Sequence, residues 1–212
     1  MYLSDRDLNW AIERGLLIVR DPAGSPPQID PSSINLRLDH ADEAKIWDIE
    51  RYQKHMGVSG SDEPVLHVGS LQYNYGTISK FLASPTNDKS QTVFRRDDEI
   101  WVRPNGFLLW QTKEIIGTPK IDPRYICFVD GKSTRARAGL LVHLTAPTIH
   151  AGWDGNVTLE IANLGPFTFV LKEDDIIAQL TVATISSPPS KSHQQAGTST
   201  LGQSHVSGKT TE

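Results

Sequence analysis

The sequence contains almost no cysteine, no excess of positive charge and no long apolar run. Its single cysteine, Cys127, excludes an intramolecular disulfide framework and fits a reducing compartment. The 25 acidic residues outnumber the 21 lysines and arginines, so we expect no nucleic acid polymer as a partner. The opening MYLSDRDLNW lacks the basic and apolar regions of a signal peptide, and no run of about eighteen apolar residues occurs. These absences predict a cytoplasmic protein that does not interact with membranes.

Metal-binding and nucleophile motifs are missing as well. The seven histidines show no H-E-x-x-H spacing, and one cysteine cannot supply the P-C-x-x-C ligands of zinc-dependent base deaminases. Neither a G-x-S-x-G elbow nor a G-x-x-x-x-G-K-[ST] loop is present. We therefore expect no zinc and no metal ion bound by protein side chains alone.

The first half of the chain predicts two helices and one clear strand. Ser4 and Asp7 have the spacing of a helix capping box, and Gly15 is placed to end the helix that follows. In SSINLRL, apolar and polar residues alternate as in a half-buried strand. Residues 39–56 mix good helix formers with apolar residues and predict a second amphipathic helix.

Beyond Gly57 the pattern is one short strand after another, separated by Pro, Gly, Asn or Asp. Strands without intervening helices favour a β-sandwich or barrel over a parallel nucleotide-binding sheet. The last residues, 186–212, have too few apolar side chains to order themselves. We predict one folded domain over 1–185 and a polar C-terminal tail over 186–212. The expected strands are VLHVG, VFRRDDEIWVRPNGFLLWQTKEI, YICFVDG, LLVHLTAPTI, VTLEIANLG and FTFVLKEDDIIAQLTVATI.

The segment GKSTRARAGL lies between two of these predicted strands and concentrates positive charge. It holds one glycine, two hydroxyl groups and three cations within seven residues. Glycine allows backbone N–H groups to approach an anion, while the cations neutralise it and the hydroxyls donate hydrogen bonds. Two interpretations stay open: a cradle for phosphate groups and a solvated basic turn.

Glu160 lies in VTLEI, where Val157, Leu159 and Ile161 alternate with polar residues. The alternation places Glu160 on the face opposite the core. Such a glutamate is usually only solvated, so a catalytic role depends on its neighbours.

These segments together resemble a known family. The run from GKSTRARAGL through TAPTIHAGWDGNVTLEIAN to IIAQL is similar to the core of the dCTP deaminase and dUTPase superfamily, and specifically to its metal-independent dCTP deaminases. The resemblance implies a mainly β subunit, a distorted β-barrel or jelly roll with a short N-terminal helix and one further helix. It also implies a homotrimer whose active sites form between subunits, and Mg²⁺ carried with the nucleotide triphosphate.

The resemblance assigns a role to individual positions. Glu160 falls on the catalytic glutamate, and Ser133 and Arg137 on active-site positions. Ala146 falls on the residue whose backbone carbonyl faces the cytosine amino group and the attacking water. The positions implied in triphosphate or substrate binding are Lys132, Ser133, Thr134, Arg135, Gln179 and His150. Conversion of dCTP to dUTP and ammonia, in the route to dUMP and dTTP, is the function that this implies.

Several positions depart from the family pattern. His150 stands where aspartate is usual, which argues against dUTPase activity, and Asn35 also replaces an aspartate. Arg135 occupies a position that is usually small or aliphatic. KSHQQAGTST resembles the family's lid over the active site, but its tyrosine is missing. The open alternatives are a dUTP pyrophosphatase or bifunctional enzyme, a catalytically silent nucleotide-binding regulator, and a jelly-roll binding module.

Overall fold

The computed structural model describes residues 1–57, 63–66 and 75–190 of the chain. Strands dominate this part, which confirms the expected mainly β fold. It contains the helices α1 (Asp5–Glu13), α2 (Ile49–Met56) and α3 (Ser133–Arg137), short 3-10 turns at Ala41–Glu43 and Ser79–Phe81, and a helical stretch at residues 75–78. No helix in the described ranges is both long and apolar enough to span a membrane.

Helix α1 begins and ends where the sequence predicts. The backbone N–H of its N-cap residue, Ser4, donates to the Asp7 carboxylate, which is the expected capping box. Gly15 follows the helix with a φ of +66°, in the left-handed region that glycine adopts without strain. Leu8 and Ala11 are fully buried and anchor the helix to the sheets.

Fourteen strands form four sheets in the described residues. Two sheets position the site, in the orders β1-β8-β12-β10 and β11-β9-β14-β3-β2, and all their pairs are antiparallel. The other two are β13-β7-β6 and β4-β5. The strands are β1 (Ile18–Arg20), β2 (Ile29–Asp30), β3 (Ser33–Arg37), β4 (Ile46–Trp47), β5 (Leu82–Ala83), β6 (Val93–Arg96), β7 (Glu99–Val102), β8 (Phe107–Gly117), β9 (Tyr125–Gly131), β10 (Leu140–Val142), β11 (Thr148–Ile149), β12 (Asp154–Asn163), β13 (Phe169–Lys172) and β14 (Ile176–Thr184).

The core lies between the inward faces of these sheets. Every second residue of β3 and β12 is buried, as the alternation in SSINLRL and VTLEI predicts. Each fully buried Leu or Ile side chain contributes about 1.5–3 kcal/mol of transfer free energy. Cys127 of β9 is also fully buried, and burial raises the pKa of its thiol to about 12. The largest fully buried side chains include Trp110, Leu8, Ile34, Leu36, Leu38, Leu159 and Ile161.

Three expectations need correction. Residues 39–56 do not form one helix: a 3-10 turn and strand β4 come first, and Asp48 caps the helix that begins at Ile49. LLVHLTAPTI is not one strand, because His143 and Thr145 have positive φ angles that end the extended chain between β10 and β11. The sheets of the described residues do not close into one barrel.

Two further predictions fall partly on residues outside the described ranges. Val65 and Leu66 of the expected strand VLHVG are exposed and have no regular structure, and its remaining residues are not described. Residues 186–190 are exposed and irregular, and 191–212, including the lid-like KSHQQAGTST, lie outside the described residues.

Candidate active site

A pocket of about 490 Å³ opens where β9, α3, β10 and β14 meet. It brings together four of the residues that the sequence predicts for triphosphate binding: Lys132, Ser133, Thr134 and Gln179. The GKSTRARAGL segment is not a simple turn, since Ser133–Arg137 forms the short helix α3 after the last residue of β9. The pocket is therefore built from the segment that carries the concentrated positive charge.

Gly139 fixes how the chain leaves this helix. Its φ is +97°, and a Cβ atom placed on it would lie 2.2 Å from the Cα of Gly165. The facing Gly165 is equally constrained, because its own Cβ would lie 2.0 Å from the Ala138 carbonyl oxygen. The two glycines allow a backbone contact that holds α3 against the loop between β12 and β13.

Lys132 is held at the wall of the pocket by three oxygen atoms. Its ammonium donates to Asn35 Oδ1, and its Nζ lies 3.4 Å from both Gln179 Oε1 and Asp30 Oδ2. Asn35 and Gln179 are direct partners across β3 and β14. Asn35, which stands where the family usually has aspartate, thus orients the Lys132 ammonium. Because its side chain is a neutral amide, it does so through a hydrogen bond and not through an ion pair.

The two arginines of α3 do not line this pocket. Arg135 is half-buried and Arg137 is exposed. Neither forms an ion pair with a carboxylate in the described ranges. Their charges remain available to a ligand or to another subunit.

Glu160 lies elsewhere in the subunit, on β12, with His143 beside it. The His143 N–H donates 2.8 Å to the Glu160 carbonyl, and His143 Nδ1 approaches Glu160 Oε2 to 3.3 Å. The two side chains lack the alignment of a hydrogen bond, so both imidazole nitrogens and Oε2 are buried without a hydrogen-bond partner among the described residues. About a third of the Glu160 side chain remains exposed. A carboxylate in this setting has capacity for a further hydrogen-bonding group.

The sequence predicted Glu160 but missed His143. The histidine follows β10 in a left-handed conformation, with a φ of +57°, which no strand or helix periodicity reports. The only available signal was its position in the run between GKSTRARAGL and TAPTI.

Tyr75 was also missed, and it connects the segment 39–90 with Glu160. Burial raises the pKa of its phenol, and the negative charge of Glu160 raises it further. The Tyr75 ring packs edge-on against Trp47, with the ring centroids 6.5 Å apart. Lys45, two residues before Trp47, pairs with Leu109 of β8, and Leu109 is the cross-strand partner of Glu160. The segment 39–90 therefore borders the predicted catalytic glutamate.

Ala146 and His150 lie on the loop that leads from His143 through β11. Both are exposed, and neither lines the pocket around Lys132. The loop is fixed by the Val129 N–H, which donates 2.9 Å to the Pro147 carbonyl. Of the nine predicted positions, four line the pocket around Lys132, and Glu160 lies beside His143. The other four are half-buried or exposed and do not line that pocket: Arg135, Arg137, Ala146 and His150.

In the ranges that the structure describes, no three His, Cys, Asp or Glu side chains converge as metal ligands. Among the described residues, Asp130 is the one carboxylate that lines the pocket, and Asp30 contacts Lys132 from outside the lining.

Comparisons with known proteins agree with this fold and identify the family. The dCTP deaminase-like family matches residues 2–185. A relative named dCTP deaminase, dUMP-forming, from Methanobrevibacter smithii is 27% identical over 186 residues, which cover 88% of this chain and 81% of the relative. A dCTP deaminase from Haloarcula marismortui is 29% identical over 206 residues, which cover 96% of this chain and 91% of the relative.

A solved structure supports the fold independently. The 2'-deoxycytidine 5'-triphosphate deaminase from Agrobacterium tumefaciens superposes with a TM-score of 0.53 at 15% identity, over 85% of this chain. The match spans 47% of that solved chain, and at this identity it reports on the fold alone. Since the family match covers nearly the whole folded part, this chain belongs to the dCTP deaminase-like family.

Proposed function

We propose that the protein hydrolyses dCTP to dUTP and ammonia, with Glu160 as the general base and proton shuttle. One observation carries the proposal: the Glu160 side chain is partly exposed, and its buried Oε2 has no hydrogen-bond partner among the described residues. A structural carboxylate at this depth would normally be satisfied by protein donors. The relatives named dCTP deaminase support the choice of substrate.

The reaction requires two proton transfers, first from the attacking water and then from the hydroxyl group that it forms. Glu160 takes a proton from water as the oxygen attacks C4 of cytosine, and returns it to the ring nitrogen N3. The C4–N4 bond of the tetrahedral intermediate then breaks. The 4-amino group takes up the proton of the C4 hydroxyl group and leaves as ammonia, and the C4 oxygen becomes the carbonyl of uracil. One carboxylate performs each transfer, so the reaction needs no metal-bound water.

His143 would hold the carboxylate in position for this step. Its Nδ1 lies 3.3 Å from Oε2, and its backbone is tied to the Glu160 carbonyl. Small rotations of either side chain would convert the close contact into a hydrogen bond. We assign His143 a positioning role, since it acts through Glu160.

The remaining residues complete the site in a homotrimer. Arg137, Ser133 and Ala146 are exposed in one subunit, as expected for groups that meet a neighbouring subunit. Ser133 and the Ala146 carbonyl would orient the water and the amino group, and Arg137 would balance the charge of Glu160. Assembly of the subunits is thereby required for activity.

The pocket around Lys132 would bind the triphosphate. Lys132, the hydroxyls of Ser133 and Thr134, and the amide of Gln179 supply donors for phosphate oxygens. Arg135 and His150 would lie at the edge of this subsite. Mg²⁺ enters with the nucleotide, and its charge offsets the repulsion between the phosphates and Asp130.

The decisive experiment measures ammonia release from dCTP in the presence of Mg²⁺. We expect Glu160→Gln to lower kcat by about 10²–10⁴, the usual contribution of general acid–base catalysis. Glu13→Gln, which removes an exposed carboxylate from α1, is the matched control and should retain full activity. Undiminished turnover in Glu160→Gln would refute the proposed base.

A bifunctional enzyme that continues to dUMP is the second candidate. It is favoured by the relatives whose names read dUMP-forming, and His150 opposes it because imidazole replaces the usual aspartate. Pyrophosphate detection with dCTP and with dUTP separates the two. Release of pyrophosphate supports the bifunctional enzyme, whereas dCTP binding by calorimetry without any turnover supports a catalytically silent regulator.

A further inference from the structure

The segment 39–90 contains a second pocket, which we call the insertion pocket. It has a volume of about 570 Å³ and is lined by Arg51, Lys54, His55, Lys80 and Phe81. None of these residues lines the pocket around Lys132. The two pockets are therefore separate surfaces of the subunit.

The charged side chains that line the insertion pocket are all of one sign, positive. Three permanent cations and one histidine line the insertion pocket, and among the residues that the structure describes no carboxylate does. In the described part of the chain, none of the four forms an ion pair, whereas Arg37, Arg95, Lys113 and Arg124 all do. Arg37, Arg95, Lys113 and Arg124 are thus matched by acidic partners, whereas the cations of the insertion pocket, like Arg135 and Arg137 of α3, are not matched within the described ranges.

The local sequence places these cations together. Arg51, Lys54 and His55 have the i, i+3 and i+4 spacing that shares one face of α2, and Lys80 comes from the 3-10 turn Ser79–Phe81. Lys80 Nζ lies 3.4 Å from His55 Nε2. Like charges at the i and i+3 positions of Arg51 and Lys54 destabilise a helix, so this part of the arrangement costs free energy until an anion binds.

Phe81 keeps the cations in place without neutralising them. Its side chain is buried, and the Arg51 guanidinium and the Lys80 ammonium lie 5.9 and 5.1 Å from its ring centroid. The His55 ring is 5.2 Å from the same centroid. Cation–π contacts of this kind are attractive without adding a negative charge. They hold the charged groups around one point, and apart from the Lys80–His55 contact no side-chain N–H of these cations has a hydrogen-bond partner among the described residues.

We propose that the insertion pocket binds the phosphate groups of a small anion, a free polyphosphate or a nucleotide. A phosphate chain offers many acceptor oxygens at close spacing, which matches several point cations around one centre, and arginine adds a planar pair of donors. A single carboxylate would leave most of these donors unpaired. The inference does not depend on the proposed function, because the residues and the ligand contacts are different.

The test is calorimetry of the full chain with inorganic triphosphate. We expect two classes of site per chain, one lost in Lys132→Gln and the other weakened at least tenfold in the double variant Lys54→Gln/Lys80→Gln. The double variant should retain ammonia release from dCTP. Lys120→Gln/Lys172→Gln removes the same charge from exposed positions elsewhere and should bind triphosphate as the unmodified chain does.

Three outcomes would overturn the inference: one class of site only, an unchanged second class in Lys54→Gln/Lys80→Gln, or equal weakening in Lys120→Gln/Lys172→Gln. A thermal melt of each variant separates loss of binding from loss of fold. Repeating the titration with dCTP and with dTTP shows whether the base adds affinity to that of the phosphates. If the protein releases ammonia but has no second site, the proposed function stands and the insertion pocket is refuted. If it has a second site but releases no ammonia, the insertion pocket stands and the proposed function is refuted.

Discussion

Glu114 and Glu160 are carboxylates on the paired strands β8 and β12, and their surroundings differ sharply. Glu114 accepts hydrogen bonds from the Arg37 backbone N–H at 2.8 Å and from its guanidinium at 2.7 Å. The same guanidinium binds Asp21 at 2.7 Å and Asp174 at 3.1 Å. Glu160 has one imidazole at 3.3 Å and a buried oxygen without a hydrogen-bond partner in the described ranges. A carboxylate that stabilises the fold is satisfied by the protein, whereas one with spare hydrogen-bonding capacity is available to a substrate.

Glu114→Ala should produce the largest loss of stability. The substitution leaves the Arg37 guanidinium, whose side chain is only 14% exposed, without one of its two buried partners. Breaking a buried pair costs about 3–5 kcal/mol, and the loss here should lie at the lower end of that range because Asp21 and Asp174 still contact Arg37. Urea denaturation followed by tryptophan fluorescence measures this loss, and a change below about 1 kcal/mol would contradict the structural role of the pair.

Acid should weaken the same network through Asp21. Burial alone would raise the pKa of this carboxyl, but the hydrogen bond from Arg37 and the backbone N–H of Ala23 outweigh it and lower the pKa from 3.8 to about 2. Since the folded pKa lies below the unfolded one, the stabilisation is complete above pH 3.8 and is lost as the pH falls through 2. Denaturation curves between pH 5 and about 2 should therefore show a steeper loss of stability in the unmodified chain than in Asp21→Asn. Equal slopes would show that Asp21 does not contribute.

Glu160→Gln should have little effect on stability. Removing the charge deletes no well-aligned protein hydrogen bond, so we expect the free energy of unfolding to change by less than about 1 kcal/mol, in either direction. The same urea experiment measures it, and Glu114→Ala is the contrasting control. A loss as large as that of Glu114→Ala would mean that Glu160 is a structural residue and would remove the contrast between the two carboxylates.

The smallest effect concerns the phenol of Tyr75. Because the charge of Glu160 contributes to its raised pKa, Glu160→Gln should shift the titration of one tyrosine to lower pH. Absorbance of tyrosinate between pH 8 and about 12 reports the shift. In a Tyr75→Phe background the difference between the two titrations should vanish, and a difference that persists would place the affected tyrosine elsewhere.

Local patterns predicted the elements that hold the site. The alternation in SSINLRL and VTLEI, the capping box at Ser4 and the stop at Gly15 all reflect interactions between residues close in sequence, and the structure contains each of them. The helix expected over 39–56 was wrong in its first part because pairing with β8 and β5 overrides helix propensity there.

Those local patterns could not predict contacts between residues that are distant in sequence. Arg37 lies 77 residues before Glu114 and 137 before Asp174, and no periodicity connects them. The same holds for His143 beside Glu160 and for Lys132 beside Asn35. The positions that the family resemblance supplied, such as Ala146 and Arg137, remain predictions until the assembled enzyme is tested.

The burial of Cys127 has a practical consequence. Its thiol is fully enclosed, and its pKa of about 12 leaves almost no thiolate at neutral pH. Toward maleimides and other thiol reagents, the native chain therefore behaves as if it had no cysteine. A cysteine introduced at Ala146 or Arg137 would carry the only reactive label, and spin labels placed at both positions would report directly how far apart they lie.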